Sequence, residues 1–229
     1  MAGHPPSFEG HLDGGTNVER DETLLRAGGL GGRVAALRGP LVTLGVSQSL
    51  HDPVAVRARL AGIPVVRRHT GGTGLYHVEG DLAWTMVLPR SDPRVGRDYT
   101  RAYDRLGEPL VGFLRDFGLR AAWSTAFDLS ESFCLFGGRG RVLTVDGRAV
   151  GGAAQHASAH ALLHHGILNL AVDRARVAAL FEVPPRLLIE KLTGLRELGI
   201  VLPPENLGHR LAERLDGFLR GAPEAFLVT

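Results

Sequence analysis

The spacing of apolar residues along this chain changes type repeatedly, from alternation to helical spacing and back. That pattern predicts an α+β domain. Residues 21–27 read as the end of a first helix, after the turn-rich Asp13-Gly14-Gly15. Residues 34–37 and 41–46 read as strands joined by a turn at Arg38-Gly39-Pro40. Asp52-Pro53 opens a short helix, because aspartate caps and proline suits the first helical position. Residues 63–66 form a buried strand, and residues 82–88 form another that Pro89 ends. Residues 98–117 make the longest helical pattern, through Leu106, Leu110, Phe113, Leu114 and Phe117, and Pro109 kinks or splits it. Residues 141–145, 148–154 and 161–170 read as sheet. A hairpin turn is expected at Val145-Asp146-Gly147-Arg148, since Asp-Gly accepts positive φ. Beyond Asp173 the pattern is helical, and its amphipathic pieces suit a core and cap rather than a membrane. The expected organisation is a flexible N-terminus over residues 1–13, a main domain over 14–172 and a helical C-terminal extension over 173–229.

Composition narrows this picture. With 229 residues, 44% of them hydrophobic and 22% charged, the chain can bury a substantial core as an ordinary soluble globular protein. No apolar run is long enough to span a bilayer, and residues 1–15 lack the apolar segment of a signal peptide. A single cysteine, Cys134, excludes an internal disulfide, and a reducing cytoplasm is the expected compartment. The basic residues are almost all arginine, so any mechanism that needs a lysine must use Lys191. A net charge of +2 and dispersed arginines argue against nucleic acid as a partner.

The candidate chemistry lies in a few places. A strand ending in Arg67-Arg68, followed by Gly71-Gly72, can bring backbone N–H groups to an anion or carbonyl, because glycine has no Cβ in the way. Taken alone, the same residues also suit a tight loop with solvated arginines. Cys134 lies in Ser132-Phe133-Cys134-Leu135-Phe136-Gly137-Gly138. A thiolate is a competent acyl acceptor, while a lone cysteine between aromatics is also a common small core residue. His156, His160 and His164 share a face on a strand, and His160 and His164 are spaced i, i+4 for a helix. No carboxylate or cysteine is placed to complete a site with them, so no metal is expected.

The run Arg67-Arg68-His69-Thr70-Gly71-Gly72-Thr73-Gly74-Leu75-Tyr76-His77 resembles the RRxTGG…YH signature of the lipoate-protein ligase and octanoyltransferase family. Gly147-Arg148-Ala149-Val150-Gly151-Gly152-Ala153-Ala154-Gln155 resembles that family's G-R-K-(I/V)-x-G-(S/A)-A strand, with Ala149 in place of the lysine. Cys134, thirteen residues before Gly147, stands where the cysteine-dependent octanoyltransferases carry their nucleophile. The resemblance extends to Asn17 with Asp21-Glu22-Thr23-Leu24-Leu25, to Leu44-Gly45-Val46-Ser47-Gln48, to Gly62-Ile63-Pro64-Val65-Val66 and to His165-Gly166. It implies a biotin/lipoate-ligase-like catalytic domain, a mixed sheet flanked by helices.

The activity implied is an octanoyl- or lipoyl-transferase that moves an acyl chain through a Cys134 thioester. Arg67 and Arg68 would anchor the loop or the partner. Gly71, Gly72, Gly151, Gly152 and Ala153 would frame an acyl tunnel. Thr73, Gly74, Leu75, Tyr76, His77, Ala149 and His165 would complete the substrate site, with Thr73 replacing a family glycine and narrowing the passage. His77, His164 and His165 are candidate bases. The implied acceptor is a lipoyl-domain or glycine cleavage H-like protein, and the implied donor is octanoyl acyl carrier protein or an acylated lipoyl domain. Lipoate or octanoate is then a substrate, and no cofactor is needed. Ala149 keeps alternatives open. The family lysine steadies the acyl group, which alanine cannot do. Arg148 faces the other side of an ordinary strand unless a bulge turns it. An ATP-dependent ligase using ATP and Mg with a displaced cation is one alternative. A non-catalytic homologue binding lipoyl domains or acyl chains is the other.

Overall fold

The computed structural model describes residues 4–96, 98–124, 129–137 and 141–221. Gly138 and the ends of the expected terminal segments, 1–3 and 222–229, lie outside the described residues. The elements in chain order are β1 (Phe8–Leu12), α1 (Gly14–Ala27), β2 (Gly31–Leu37), β3 (Leu41–Leu44), α2 (Pro53–Leu60), β4 (Val65–Arg67), β5 (Leu75–His77) and β6 (Leu82–Pro89). They continue with α3 (Tyr99–Leu106), α4 (Glu108–Arg115), β7 (Ala121–Ser124), β8 (Arg141–Val145), β9 (Arg148–Ala157), β10 (Ala161–Leu168), α5 (Arg174–Phe181), α6 (Pro185–Lys191) and α7 (Pro204–Leu219).

A seven-stranded sheet runs in the order β1-β2-β6-β10-β9-β8-β7, and a three-stranded sheet in the order β4-β3-β5. The large sheet is mixed: β1 pairs parallel with β2, and the remaining pairs are antiparallel. β2 and β6 are buried nearly throughout, as strands covered on both faces must be. On one face, α3, α4 and α7 close a core around Trp84, Leu106, Phe113 and Leu211. A second apolar cluster, with Phe133, Phe136, Phe181 and Leu192, joins α2, α5 and α6 to β3, β8 and β9.

Local signals in the sequence form what they specify. Asp52 caps α2, accepting a hydrogen bond from the Val54 backbone N–H, and Pro53 opens the helix. Asp146 (φ 47°) and Gly147 (φ 76°) both turn left-handed between β8 and β9, as a two-residue hairpin of this hand requires. The 98–117 pattern splits at Gly107 into α3 and α4, with Pro109 in the first turn of α4 where its missing N–H costs no helical bond.

Other expectations are revised. The strands around Arg38-Gly39-Pro40 do not form a hairpin: β2 joins the large sheet and β3 the small one. The 63–66 strand pairs only over Val65–Arg67, at a half-exposed position, although Ile63 is buried. The N-terminal segment expected to be flexible supplies β1, and His4 bridges Gly31. It covers an edge of β2 that would otherwise leave its backbone unpaired. By contrast, α7 serves as core and cap, as its amphipathic pattern predicts. It packs against β1, β2 and β6, and Leu207, Leu211, Leu215 and Leu219 enter the main core.

Candidate active site

A cleft opens between the large sheet, α1 and the small sheet. Leu37, Leu41, Leu75, Ala83 and Ile167 make it apolar, while Gly152, Ala153 and Gly166 keep its sheet wall low. Arg68, Cys134, Arg141 and His165 bring polar groups to the same space. An apolar pocket with a few convergent polar groups is the usual form of a small-molecule site.

Arg68 follows the last residue of β4 and is 7% exposed. Its Nη2 donates to the carbonyls of Gly71 (2.7 Å) and Thr73 (2.9 Å) and lies 3.7 Å from Cys134 Sγ. Its Nε donates to Thr70 Oγ1 at 3.2 Å. Burial pushes the Arg68 pKa down and the neighbouring Cys134 pulls it up. Arginine stays cationic under such conditions. Gly72 makes the contact possible: its φ is 92°, and a Cβ there would sit 2.8 Å from both Arg68 Nη2 and Cys134 Sγ. The Cys134 backbone N–H donates to the Gly74 carbonyl at 2.9 Å, which pins the cysteine segment to the glycine loop.

A polar chain continues from Arg68 away from the sulfur. Thr70 Oγ1 and His165 Nε2 are 2.8 Å apart, and His165 Nδ1 is 2.7 Å from Asp21 Oδ2. Asp21 Oδ1 accepts from Arg33 Nη1 at 2.6 Å and from Thr85 Oγ1 at 2.7 Å. Arg33, fully buried, also donates to Glu9 Oε2 and Asn17 Oδ1. Burial pushes the Asp21 carboxyl up, but the His165 hydrogen bond and charge, with Arg33 and Thr85, outweigh it and hold the group below the usual carboxylate range.

The other histidines differ. His77 lines the cleft, bonds Thr43 Oγ1 at 2.9 Å, and is pushed to about 3 by burial and then by the Arg68 charge. His164, beside Trp84 and Tyr103, is pushed to about 3 by burial and then by His165. Both are neutral near pH 7, and His164 is not part of the cleft lining. Among the described residues no group of three or more His, Cys, Asp or Glu side chains converges on a metal position.

Of the residues singled out from sequence, Arg68, Leu75, His77, Cys134, Gly152, Ala153 and His165 line the cleft. Gly71, Gly72, Thr73 and Gly74 stand behind it and shape the Arg68 loop. Arg67 is exposed, with Nη1 3.5 Å from the Gln48 carbonyl, and Tyr76 borders a neighbouring depression. Gly151 packs against the β10 backbone. Ala149 is completely buried in the Phe133–Leu192 cluster. Its carbonyl accepts from the Thr193 N–H at 2.9 Å, and Leu192 bridges it. The bulge considered for this strand exists: Leu143 pairs with Gly151 and Thr144 with Ala149, so Val150 is skipped. It leaves Arg148 outside the cleft lining. Sequence reasoning did not select Arg141, which opens β8 and pairs with Asp104 at 3.1 Å, nor Asp21 as the anchor of His165. No spacing pattern marks Arg141; Asp21 was visible only inside a matched helix.

The fold is that of the lipoate-protein ligase catalytic domain. It superposes on a lipoate-protein ligase A bound with ATP (TM-score 0.76, 22% identity, 96% of this chain and 86% of that one). It also superposes on a putative lipoate protein ligase of Thermoplasma acidophilum with bound lipoic acid (TM-score 0.73, 20% identity, 96% and 86%). These likenesses concern the fold. The chain belongs to the lipoyl protein ligase A/B catalytic domain family, whose model matches residues 17–200. It is similar to octanoyltransferase LipM of Geobacillus kaustophilus, 27% identical over 163 residues, which cover 67% of this chain and 58% of that protein. With octanoyltransferase LipM of Symbiobacterium thermophilum it shares 28% identity over 236 residues, 96% of this chain and 85% of the relative.

Proposed function

We propose that the protein is an octanoyl- or lipoyl-transferase that carries its acyl chain as a thioester on Cys134. The observation that supports this most is Cys134 Sγ at the wall of an apolar cleft, 3.7 Å from the buried Arg68 guanidinium. Sulfur is the nucleophile of such a transfer, and a cation beside it can stabilise charge that develops on the reacting carbonyl. The LipM relatives carry the name of this activity.

In the first step, Cys134 Sγ forms a bond to the carbonyl carbon of a donor thioester. The donor's own C–S bond breaks, and the departing thiol takes up the proton that Cys134 gives up. In the second step, a lysine amine of the acceptor forms an amide with the same carbon. The bond to Sγ breaks, and the amine proton returns to the thiol. No oxidation state changes and no cofactor takes part. The acyl chain lies along Leu37, Leu41, Leu75, Ala83 and Ile167, where burial contributes about 0.8 kcal/mol per methylene. The donor is octanoyl carrier protein or an acylated lipoyl domain, and the acceptor is a lipoyl-domain or glycine cleavage H-like protein. With these partners the reaction would take place in the cytoplasm; no helix among the described residues is long and apolar enough to cross a membrane.

The test is the intact mass of wild type and Cys134→Ala after incubation with octanoyl carrier protein. An octanoyl adduct on wild type alone, removed by hydroxylamine, is the expected result. Absence of the adduct on a folded wild type would overturn the thioester route. Lipoate-dependent release of pyrophosphate from ATP would then assign the ligase alternative. Binding of a lipoyl domain without either reaction would assign the non-catalytic one.

A further inference from the structure

The cleft contains a buried cation whose hydrogen-bonding capacity is not used up. Arg68 is 7% exposed and lines the cleft. Its Nε and Nη2 are engaged, yet Nη1 has no partner among the described residues. A buried donor without a partner costs free energy, and a guanidinium carries that cost only where something else repays it. Stabilising a ligand that arrives in the cleft is such a repayment. The neighbouring Sγ at 3.7 Å indicates where that ligand's reacting atom would lie.

The position taken by a lysine in the resembling strand offers no substitute. Ala149 is enclosed by apolar side chains and its backbone is bridged by Leu192. Lys191, the sole lysine, is on α6 and outside the cleft lining. Arg141 also reaches the cleft, but its Nη2 is paired with Asp104. Arg68 therefore combines three properties: positive charge, contact with the nucleophile, and an unused buried donor.

Its geometry is imposed from outside the glycine loop. A carboxylate only accepts, so His165 Nδ1 carries the proton shared with Asp21. Thr70 Oγ1 lies 2.8 Å from His165 Nε2 and accepts from Arg68 Nε. Thr70 thus ties the guanidinium to the buried His165–Asp21 pair, which holds its plane.

Building on the thioester reading, we propose that Arg68 is the catalytic cation of the acyl transfer. It pairs through Nη2 with Cys134 and offers Nη1 to the carbonyl oxygen of the acyl thioester, while Thr70, His165 and Asp21 position it. Negative charge gathers on that oxygen as Sγ bonds to the carbonyl carbon. It returns to the carbonyl when the donor's C–S bond breaks, and Arg68 itself exchanges no proton.

The experiment compares wild type, Arg68→Gln, Arg68→Lys and Thr70→Val, each shown to be folded by circular dichroism and thermal melting. One readout is the rate of octanoyl adduct formation on Cys134 from octanoyl carrier protein. The other is alkylation of Cys134 by iodoacetamide, which develops no carbonyl oxyanion. Arg68→Gln is expected to slow acylation about 100-fold or more, as loss of an oxyanion donor does. Alkylation should slow less, because only the sulfur contact is lost. Arg68→Lys should recover part of the acylation rate by restoring the charge. Thr70→Val should lower the saturating rate without changing the half-saturating donor concentration, as a positioning residue would. Full acylation by folded Arg68→Gln, or equal slowing of both reactions, would overturn the assignment while leaving the thioester route intact. A wild type that forms no adduct would overturn both.

Discussion

At the scale of single residues, the contact between Arg68 and Cys134 depends on the absence of a side chain. Gly72 has a φ of 92°, which L residues with a Cβ rarely adopt, and its missing Cβ leaves room for the contact between Arg68 and Cys134. Gly72→Ala should therefore act in two ways. Backbone strain should cost about 1–2 kcal/mol of stability. Displacing Sγ and the guanidinium should slow acylation about 10-fold or more, since small misplacements at a reacting centre are expensive. Urea unfolding and the adduct rate, measured on one preparation, check both parts. An alanine variant with wild-type acylation would show that the loop tolerates the change and that the close contact is unimportant. The glycine pair was visible in the sequence, but its purpose was not. Gly71 and Gly72 were expected to frame an acyl tunnel, whereas they lie behind Arg68 and leave the wall of the cleft to Gly152, Ala153 and Gly166.

At the scale of elements, the terminal segments support the sheet that presents the site. β1 lies along β2, and Glu9 on β1 reaches Arg33, which in turn holds Asp21. α7 presses against the same two strands, and Gly208 approaches the Phe8 ring so closely that no Cβ would fit without movement. Gly208→Leu should push α7 from β1 and cost about 1–3 kcal/mol, as overpacking does. The midpoint of urea unfolding should fall with its slope unchanged; an unaltered midpoint would mean that the N-terminal strand contributes little to the fold. The sequence does not reveal this pairing. Phe8 and Gly208 are 200 positions apart, and neither carries a local signal for the other. The Asp52-Pro53 helix start and the Asp146-Gly147 hairpin were legible because their causes lie within a few residues.

For the whole molecule, buried titratable groups set the pH range of stability. His77 and His164 ordinarily titrate at 6.5 and are pushed to about 3 in the fold, chiefly by burial. Between those values the unfolded chain binds protons that the folded chain refuses, so stability falls as pH drops from 6.5 toward 3. Asp81 acts in the opposite sense. Burial pushes it up from 3.8 to about 8, against backbone hydrogen bonds from Leu170 and Val78. The folded chain keeps that proton longer, so stability is lost as pH rises from 3.8 through about 8. Between 3.8 and 6.5 the two histidines outweigh the single carboxyl, so melting temperature should peak near pH 6.5. Thermal melts across this range check the peak, and Asp81→Asn should flatten its alkaline side. A melting temperature that kept rising to pH 8 would show that Asp81 is ionised in the fold.

By itself, the sequence determined the α+β class, the family resemblance and most of the local elements. Through that resemblance it singled out Cys134 and Arg68, both of which line the cleft. Helix caps, turn glycines and alternating strands act over a few residues, so their physics is written in neighbouring letters. Tertiary structure alone decided which strands share a sheet, that residues 8–12 belong to it, and that Ala149 is walled off by Leu192. It also decided that Arg68, rather than Arg67 or Arg148, meets the sulfur. Asp21, Thr70 and His165 are far apart along the chain, and only packing brings them within hydrogen-bond distance behind that arginine.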